Sequence, residues 1–243
     1  MTQTIRLSVV IPAYNEERRL PRTLEQIHAY FAQQEGEYEL LVVDDGSADA
    51  TAELAEAMLR QFQCGNVLKN GRNRGKGYSV RQGVFAARGE FILFTDADLS
   101  TPIQEIEKLL PYLQAGYDIA IGSRGLRESD VRAHQPFYRE YMGKCFNLFA
   151  KLFGLTRFAD TQCGFKCFRA AAARDIFARQ QIDHFSFDVE VLFLAAKRGY
   201  AVQEVPIQWF NEPHSRVNAI VDAARMFSDL VKIRIRFFMG KYD

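Results

Sequence analysis

Short runs of consecutive apolar residues alternate with longer amphipathic segments along the first half of the chain. The runs occupy residues 7–11, 39–44, 90–96 and 118–123, and they are rich in branched apolar side chains. Such runs favour strands that are buried on both faces. Between them, apolar residues recur every three or four positions, as in Leu20, Leu24, Ile27 and Phe31, which is typical of amphipathic helices. The alternation predicts an α/β fold, with a mostly parallel sheet flanked by helices.

Polar residues follow each of these four predicted strands. They occupy residues 12–16, 44–47, 96–100 and 123–127. Because ligands of parallel α/β sheets gather at the carboxyl ends of the strands, we expect a binding site where these segments meet.

The pattern changes after about residue 130. An aromatic and basic helical segment covers residues 137–153, followed by a strand at 164–168, a helix at 189–198, a strand at 202–207 and a terminal helix at 219–239. No linker rich in Pro, Gly or Ser separates the two halves. We therefore expect one domain over residues 1–243, with a first half at 1–130 and a specialised second half at 131–243.

Composition and charge exclude several classes of protein. Lys and Arg number 31 against 30 Asp and Glu, so a net charge of +1 provides no global field for binding nucleic acid. No stretch without charged residues exceeds nine residues, whereas a membrane-spanning helix needs about 20. The first residues lack the features of a secretory signal, and the four cysteines form no CxxC pair, as expected for reduced thiols in the cytoplasm.

Two acidic pairs lie at predicted strand ends. Asp96 and Asp98 flank Ala97 in a D-x-D pattern, which suits a hard cation such as Mg²⁺ that also takes phosphate oxygens. Asp98 or Ser100 could instead only cap a helix that begins near Pro102. Asp44 and Asp45 are suited to accept hydrogen bonds from a ribose diol or a base, although an ordinary Asp-Gly turn is the alternative.

A glycine-rich basic segment covers residues 69–81 and contains five basic and no acidic residues. Its glycine spacing does not match a Walker loop, because Lys76 is followed by Gly77 instead of Ser or Thr. A turn of this kind that leads into a helix still suits a phosphate group, and a solvated surface loop is the alternative.

Five ordered motifs resemble those of the family 2 glycosyltransferases of the GT-A fold, which is Rossmann-like. They are VVIPAYNEE (9–17), VVDDGSADAT (42–51), NRGKGYSVRQG (73–83), FTDADLSTP (94–102) and GSR (122–124). The second half, with DTQCGFKCF (160–168), FSFDVEVLFLA (185–195) and DLVKIRIRFFMG (229–240), resembles dolichyl-phosphate β-glucosyltransferases and their polyprenyl-phosphate relatives. The resemblance implies a nucleotide-sugar donor, Mg²⁺ or Mn²⁺, and inverting transfer to a lipid phosphate.

The resemblance also assigns roles to individual positions. It implies that the nucleotide sugar is bound by Pro12, Ala13, Tyr14, Glu16, Asp44, Asp45, Lys76 and the Asp96-Ala97-Asp98 segment. Asp96 and Asp98 would hold the metal. Arg124 would bind the acceptor phosphate, with Arg139 as the second arginine and Arg127 and Arg132 as competitors for that role. The loop with Trp209, His214, Ser215 and Arg216 would close over the donor diphosphate.

Acceptor chemistry separates two enzymatic hypotheses. A lipid phosphate is already largely dianionic near neutral pH and needs no strong base, since its second pKa is about 6. A sugar hydroxyl needs a carboxylate base, for which Asp160, Asp188 and Glu190 are candidates. Asp160 and Lys166 could be an ion pair that shapes the acceptor pocket, or ordinary surface charges, and the resemblance alone favours a pocket role for Asp160.

Two segments predict contact with a membrane surface. Residues 219–239 place Phe227, Val231, Ile235 and Phe238 on one helix stripe, flanked by basic residues, and residues 137–153 are similarly aromatic and basic. The alternatives are a terminal helix packed on the core, or a homo-oligomer interface.

We therefore expect a hexosyltransferase that moves glucose from UDP-glucose to a polyprenyl or dolichyl phosphate at the cytoplasmic membrane face. The first half would bind the nucleotide sugar, and the second half the acceptor and the membrane. UDP-GlcNAc or GDP-mannose as donor, or a saccharide hydroxyl as acceptor, is the first alternative. A non-catalytic nucleotide-sugar binder that recruits a partner is the second.

Overall fold

The computed structural model describes residues 5–34, 36–132, 137–211 and 219–242, and within these it gives the backbone alone for residues 137–140 and 219–223. Seven strands form the main sheet, in the order β3-β2-β1-β4-β7-β5-β8. They are β1 (Ile5–Ala13), β2 (Glu37–Asp44), β3 (Gly65–Lys69), β4 (Phe91–Thr95), β5 (Ile119–Ser123), β7 (Phe165–Arg169) and β8 (Val202–Pro206). Strands β6 (Asp130–Arg132) and β9 (Gln208–Phe210) pair in a separate two-stranded sheet.

Eight helices accompany the strands in the described part of the chain. They are α1 (Leu20–Phe31), α2 (Thr51–Phe62), α3 (Lys76–Ala86), α4 (Ile106–Gln114), α5 (Phe137–Leu152), α6 (Ala170–Arg179), α7 (Phe187–Lys197) and α8 (Ala219–Phe238). A single 3₁₀ turn, Ile103–Glu105, leads into α4. The predicted α/β fold with a mostly parallel sheet is confirmed.

Two apolar clusters sandwich the sheet. Alternating residues of β1 divide between them, with Val10 facing the cluster that includes α3, α6 and α7, and Val9 and Ile11 facing the cluster that includes α1, α2 and α4. Burial on both faces explains why the central strands are continuous apolar runs in the sequence.

Strand β7 runs opposite to its neighbours. It pairs antiparallel with β4 on one side and with β5 on the other, whereas β1, β2, β3 and β4 are parallel. The sequence pattern also did not predict β3, β6 or β9. The carboxyl ends of β4 and β5 are therefore separated by the beginning of β7.

Helices α5 and α8 pack against one another beside the α7 layer. Phe227 of α8 makes edge-on ring contacts with Phe146 and Phe149 of α5, at centroid distances of 5.9 and 5.1 Å. Leu230 and Ile233 of α8 are completely buried in the core. No helix within the described ranges combines the length and apolarity that crossing a bilayer requires.

Candidate active site

The segments after β1 and β2 are joined by hydrogen bonds. The backbone N–H of Asn15 donates to Ser47 Oγ at 2.8 Å, and that of Glu16 donates to Thr51 Oγ1 at 2.7 Å. The N–H of Ala48 donates in return to Asn15 Oδ1 at 2.8 Å. The two predicted donor-binding segments therefore form one structural unit at the carboxyl edge of the sheet.

Asp45 anchors the glycine-rich basic segment. Its carboxylate accepts hydrogen bonds from the backbone N–H groups of Arg74 and Gly75, at 2.9 and 2.8 Å, and from the side chain of Asn70 at 2.8 Å. The neighbouring Asp44 accepts from the N–H groups of Gly46 and Ser47. Both carboxylates are buried and shape the loops of the site, a role that the prediction of nucleotide contacts did not include.

The start of α3 fits closely under the segment that precedes α7. Gly75 has φ +107°, and a Cβ atom there would lie 2.3 Å from the carbonyl oxygen of Asp183. The same carbonyl accepts the N–H of Tyr78 at 3.1 Å. The glycine is required for this close approach, which places Lys76 at the first position of the helix.

Asp96 and Asp98 form an acidic corner directly after β4. Lys76 Nζ lies 2.5 Å from Asp96 Oδ1, and Arg19 Nη1 lies 3.8 Å from Asp98 Oδ2. The backbone N–H of Ser100 donates to Asp98 at 3.0 Å, but the helical turn that follows begins at Ile103 without a side-chain cap, so the alternative in which Asp98 caps the helix is wrong. Gly164 packs against Asp96 so tightly that a Cβ atom would lie 2.0 Å from the Asp96 Oδ2.

The charges in this corner shift one another's pKa values. Burial alone would lower the pKa of Lys76, but the carboxylates of Asp96 and Asp188 raise it to about 12. Burial, followed by the nearby charge of Asp96, raises the pKa of Asp98 above its ordinary value. Lys76 is thus a permanent cation next to two acidic side chains.

The donor set of this corner fits a hard divalent cation that is shared with a substrate. No three His, Cys, Asp or Glu side chains in the described ranges are close enough to hold a metal by themselves. Mg²⁺ is usually bound by one or two carboxylates, with phosphate oxygens and waters as its other ligands. Two carboxylates at one strand end match that requirement.

Arg124 and Asp160 form a bidentate ion pair after β5. The Nε and Nη2 atoms of Arg124 donate to the two Asp160 oxygens at 2.6 and 2.9 Å, and the backbone N–H of Arg124 adds a bond of 3.1 Å. Burial would raise the pKa of Asp160, but Arg124 lowers it to about 2. Asp160 therefore remains ionised and bonded to Arg124 near neutral pH.

Both expectations for Asp160 and Lys166, an ion pair with each other or ordinary surface charges, are wrong. Lys166 is completely buried, and its Nζ donates to Asp188 Oδ1 at 2.5 Å and to the carbonyl of Cys163 at 2.6 Å. The ring of Phe94 lies 5.1 Å from the same nitrogen. Because Lys166 is the second residue of β7, its side chain enters the core beneath the site, away from Asp160.

The remaining candidate base, Glu190, is also buried. Its carboxylate accepts hydrogen bonds from the Tyr242 hydroxyl at 2.6 Å and from the N–H groups of Gln181 and Ile182 at 3.0 and 2.8 Å. Asp188 and Glu190 lie two residues apart in the first turn of α7, but Asp188 is bonded to Lys166 whereas Glu190 is bonded to Tyr242. Glu190 fixes the segment that covers the start of α3.

Comparisons with known proteins identify the family. The family model described as "Glycosyl transferase family 2" matches residues 8–177, which is more than half of the chain. The chain belongs to this glycosyltransferase family. The prediction made from the ordered motifs is thereby confirmed.

Relatives of this family 2 glycosyltransferase match almost all of it. The dolichyl-phosphate β-glucosyltransferase of Drosophila melanogaster is 36% identical over 252 residues, covering 98% of this chain and 77% of that protein. The protein of the same name from Dictyostelium discoideum is 34% identical over 248 residues, covering 97% and 76%.

A solved structure shows the same fold. It is the glucosyl-3-phosphoglycerate synthase from Mycobacterium tuberculosis in complex with Mn²⁺, UDP and glucosyl-3-phosphoglycerate. The TM-score is 0.69 with 17% sequence identity, over 95% of this glycosyltransferase and 80% of that chain. The predicted GT-A architecture is confirmed by this likeness.

The other residues of this glycosyltransferase that are predicted to bind the nucleotide sugar lie at the end of β1, just after β1, and just after β4. Pro12 and Ala13 end β1, Tyr14 is exposed, and Glu16 forms an ion pair with Arg19. Ala97 is buried, and its carbonyl accepts a hydrogen bond from Thr23.

Of the competing acceptor arginines, Arg127 is exposed, and Arg132 is paired with Asp130 at 2.7 Å. The side chain of Arg139 lies outside the described residues, as do His214, Ser215 and Arg216.

The position of Trp209 shows that a further prediction is wrong. Trp209 is also one of several residues whose role in the site was not predicted from the sequence. It lies in strand β9 with only 8% of its surface exposed, whereas the sequence placed it in a loop. Its ring lies 5.3 Å from the guanidinium carbon of Arg124. Glu204, which binds the backbone of Ala159 and Asp160, and Gly164 were also not predicted. For Trp209, the sequence offered one signal, because it is the single tryptophan of the chain and lies next to a polar segment.

Proposed function

We propose that this glycosyltransferase transfers glucose from UDP-glucose, with inversion, to a polyprenyl or dolichyl phosphate. The observation that carries the proposal is that the acidic corner and Arg124 share one edge of the sheet, while each candidate base is bound to a protein partner. The names of the relatives support the same acceptor class.

The state of the three candidate bases favours a phosphate acceptor over a hydroxyl. Asp160, with a pKa of about 2, is a poor proton acceptor near neutral pH. Asp188 is bonded to the buried ammonium of Lys166, and Glu190 to Tyr242 and two backbone N–H groups. A phosphate monoester needs no proton removed before it attacks, so it is the acceptor that this arrangement serves.

On the donor side, Lys76, Asp44 and Asp45 would organise the nucleotide. Asp45 holds the loop that leads to Lys76, and the Lys76 ammonium lies beside Asp96, where a diphosphate would meet it. Asp96 and Asp98 would hold Mg²⁺ or Mn²⁺, which supplies charge neutralisation for the departing nucleotide diphosphate. Asp96, through the metal, and Lys76, through its ammonium group, would both stabilise the negative charge of the departing nucleotide diphosphate.

On the acceptor side, Arg124 would position the lipid phosphate. A guanidinium has five N–H donors in a planar fork, and the bonds to Asp160 use only some of them. One phosphate oxygen then bonds to C1 of glucose while the bond from C1 to the UDP oxygen breaks, and UDP leaves with the electron pair. The positioned charges lower the barrier without a proton transfer.

An exposed apolar surface on α5 and α8 supports attachment to a lipid surface. The surface also includes the residues that follow each helix, and its exposed side chains are Tyr141, Leu148, Phe149, Leu152, Phe153, Val231, Ile235, Phe238 and Met239. Arg234 lies over the ring of Phe238 at 5.2 Å, so a basic group borders this surface. Apolar side chains bordered by basic ones are suited to an anionic headgroup layer.

Helix α8 packs on the core and also presents an apolar face outward, although the sequence predicted these as alternatives. Leu230 and Ile233 are buried in the core, while Val231 and Ile235 are about half exposed on another face. The helix therefore packs on the protein and still presents an apolar face outward. We propose that this face contacts the cytoplasmic side of the membrane. We also propose that residues 1–130 serve the nucleotide sugar and contribute Arg124 to the acceptor site, and that residues 131–243 form the rest of the acceptor site.

The transfer is tested with purified protein, radiolabelled UDP-glucose, Mn²⁺ and dolichyl phosphate in detergent. We expect label in the organic phase, loss of label with EDTA, and a fall of about 100-fold or more in the Asp96→Asn variant. The Glu25→Gln variant, which likewise neutralises a carboxylate but on the exposed face of α1, is the matched control. Label that enters only a saccharide acceptor, or UDP-glucose binding without turnover, would overturn the proposal.

Membrane attachment is tested by co-sedimentation with vesicles that contain phosphatidylserine, at low salt. We expect the wild type to pellet and the Leu152→Asp/Ile235→Asp variant to stay in solution. Phe85→Asp replaces a half-exposed phenylalanine of α3 and should pellet like the wild type. Equal pelleting of all three proteins, or none by the wild type, would contradict the attachment.

A further inference from the structure

The guanidinium of Arg124 is held on two sides by residues of different elements. Its edge is bonded to Asp160 through Nε and Nη2, and the ring of Trp209 lies 5.3 Å from its central carbon. Only about a quarter of the Arg124 side chain is exposed. An arginine side chain ordinarily samples many rotamers, so two fixed partners restrict it to one orientation.

Trp209 is itself fixed in place by backbone pairing. It lies at the centre of β9, where it pairs with Val131 of β6. The next residue, Phe210, donates its N–H to the carbonyl of Ser100 at 2.8 Å, and the preceding Gln208 donates to Glu105 at 3.0 Å. Strand β9 is thus tied to the segment that follows the acidic corner, and the indole has little freedom to move.

Glu204 fixes the other partner of Arg124. It lies on β8 opposite Ile121 of β5, and its two carboxylate oxygens accept the N–H groups of Ala159 and Asp160 at 3.0 and 2.9 Å. The backbone of Asp160 is therefore anchored to the sheet. Because the Asp160 carboxylate in turn sets the plane of the guanidinium, Glu204 acts on Arg124 through Asp160.

We propose that Trp209 and Glu204 are positioning residues for the acceptor anion, a phosphate monoester, because together they set the plane in which Arg124 presents its remaining N–H groups. This inference depends on the proposed function, in which Arg124 binds the acceptor phosphate. The contacts of both residues lead to Arg124 and Asp160, so we expect their loss to affect the acceptor and to spare the nucleotide sugar.

The test measures kcat and KM for each substrate separately, with citronellyl monophosphate as a soluble acceptor and UDP-glucose as donor. In Trp209→Leu we expect the acceptor KM to rise about tenfold, with the donor KM within about twofold of wild type. Trp209→Phe keeps an aromatic face and should recover most of the loss. Glu204→Gln turns one acceptor oxygen into a donor that faces an N–H group, so it should also raise the acceptor KM.

A matched control removes a comparable contact elsewhere. Phe91 lies 5.6 Å from the guanidinium carbon of Arg169 at the other end of β4, so Phe91→Leu should leave the acceptor KM unchanged. Thermal unfolding of every variant identifies general destabilisation. Binding of citronellyl monophosphate in the presence of UDP, measured by calorimetry, provides a second readout for a variant that binds but turns over too slowly.

The outcomes separate this inference from the function on which it rests. If Arg124→Ala raises the acceptor KM but Trp209→Leu and Glu204→Gln do not, the inference fails and the proposed function stands. If Arg124→Ala leaves the acceptor KM unchanged, or no glucosylated lipid forms with the wild type, the proposed function itself fails. An equal rise in both KM values for Trp209→Leu indicates a general structural role and overturns the inference.

Discussion

The buried ion pair between Lys166 and Asp188 gives the sharpest prediction about stability. Lys166 has no exposed surface, and only 5% of the Asp188 side chain is exposed. Replacement by Asp188→Asn keeps the size of the side chain and an oxygen that can accept a hydrogen bond, but it removes the negative charge. The Lys166 ammonium then stays in the core with only neutral acceptors, one of them the carbonyl of Cys163.

The size of the effect follows from the burial of the pair. Removing the charge of one partner of a buried ion pair lowers the free energy of unfolding by about 3–5 kcal/mol. Burial raises the pKa of Asp188, although Lys166 and Lys76 act to lower it. The attraction of the two lysines therefore does not fully offset the cost of burying the ionised carboxylate. Since Asn still accepts a hydrogen bond, we expect the lower end, about 3 kcal/mol. In a domain of this size, that lowers Tm by roughly 6–12 °C.

The assay compares urea unfolding, thermal unfolding and donor binding of the wild type, Asp188→Asn and a Lys166→Met/Asp188→Leu double variant. The double variant replaces the whole pair with apolar side chains of similar volume, and it should recover most of the lost stability. Glucosyl transfer by Asp188→Asn, measured below its Tm, should persist at a reduced rate.

The opposite result would refute this reasoning. If Asp188→Asn unfolds within about 2 °C of the wild type and binds UDP-glucose normally, but no longer turns over, Asp188 is acting as a catalytic base. A hydroxyl acceptor would then replace the phosphate acceptor that we propose.

Three further predictions address other contacts. In Asp160→Asn, stability should fall by about 2 kcal/mol at pH 6; since Arg124 lowers the pKa of Asp160 from 3.8 to about 2, the difference should vanish as the pH falls through that range in urea titrations. Gly164→Ala should displace the Asp96 carboxylate and reduce transfer about tenfold or more, whereas Gly143→Ala, with open space around it, should not. Tyr242→Phe should lower the free energy of unfolding by about 1–2 kcal/mol, because it removes the hydroxyl bond to buried Glu190.

Each of these has a distinct contrary result. A stability difference for Asp160→Asn that is constant between pH 6 and pH 2 would show that the ion pair with Arg124 is not its source. Normal transfer by Gly164→Ala would mean that Asp96 can move freely, and an unchanged urea midpoint for Tyr242→Phe would mean that water replaces the hydroxyl.

The central strands and the helices between them could be predicted because their periodicity reflects burial directly. Strand β1 is a continuous apolar run, and α1 repeats apolar residues every three or four positions, so each pattern matches one type of element. The polar segments after β1, β2, β4 and β5 were correctly placed for the same reason. Their shared edge follows from the parallel order of the strands.

Strand direction and long-range pairing could not be predicted in this way. The sequence of β7, FKCFR, mixes apolar and basic residues in the same way whichever direction the strand runs, so nothing in it indicates that the strand is antiparallel. Strand β3 is only partly buried, and its sequence GNVLK shows no clear alternation. Asp160 is paired with a residue 36 positions away rather than with the nearby Lys166, because the sheet order decides which side chains meet.

The reversed strand β7 also sets the distance between the acidic corner and Arg124. Neighbouring strands lie about 4.8 Å apart, so inserting β7 puts the ends of β4 and β5 about 10 Å from each other. Were β5 joined directly to β4, Asp96 and Arg124 would stand close enough to neutralise one another and close the gap. The inserted strand therefore acts as a spacer between the carboxylates of the acidic corner and the guanidinium of Arg124.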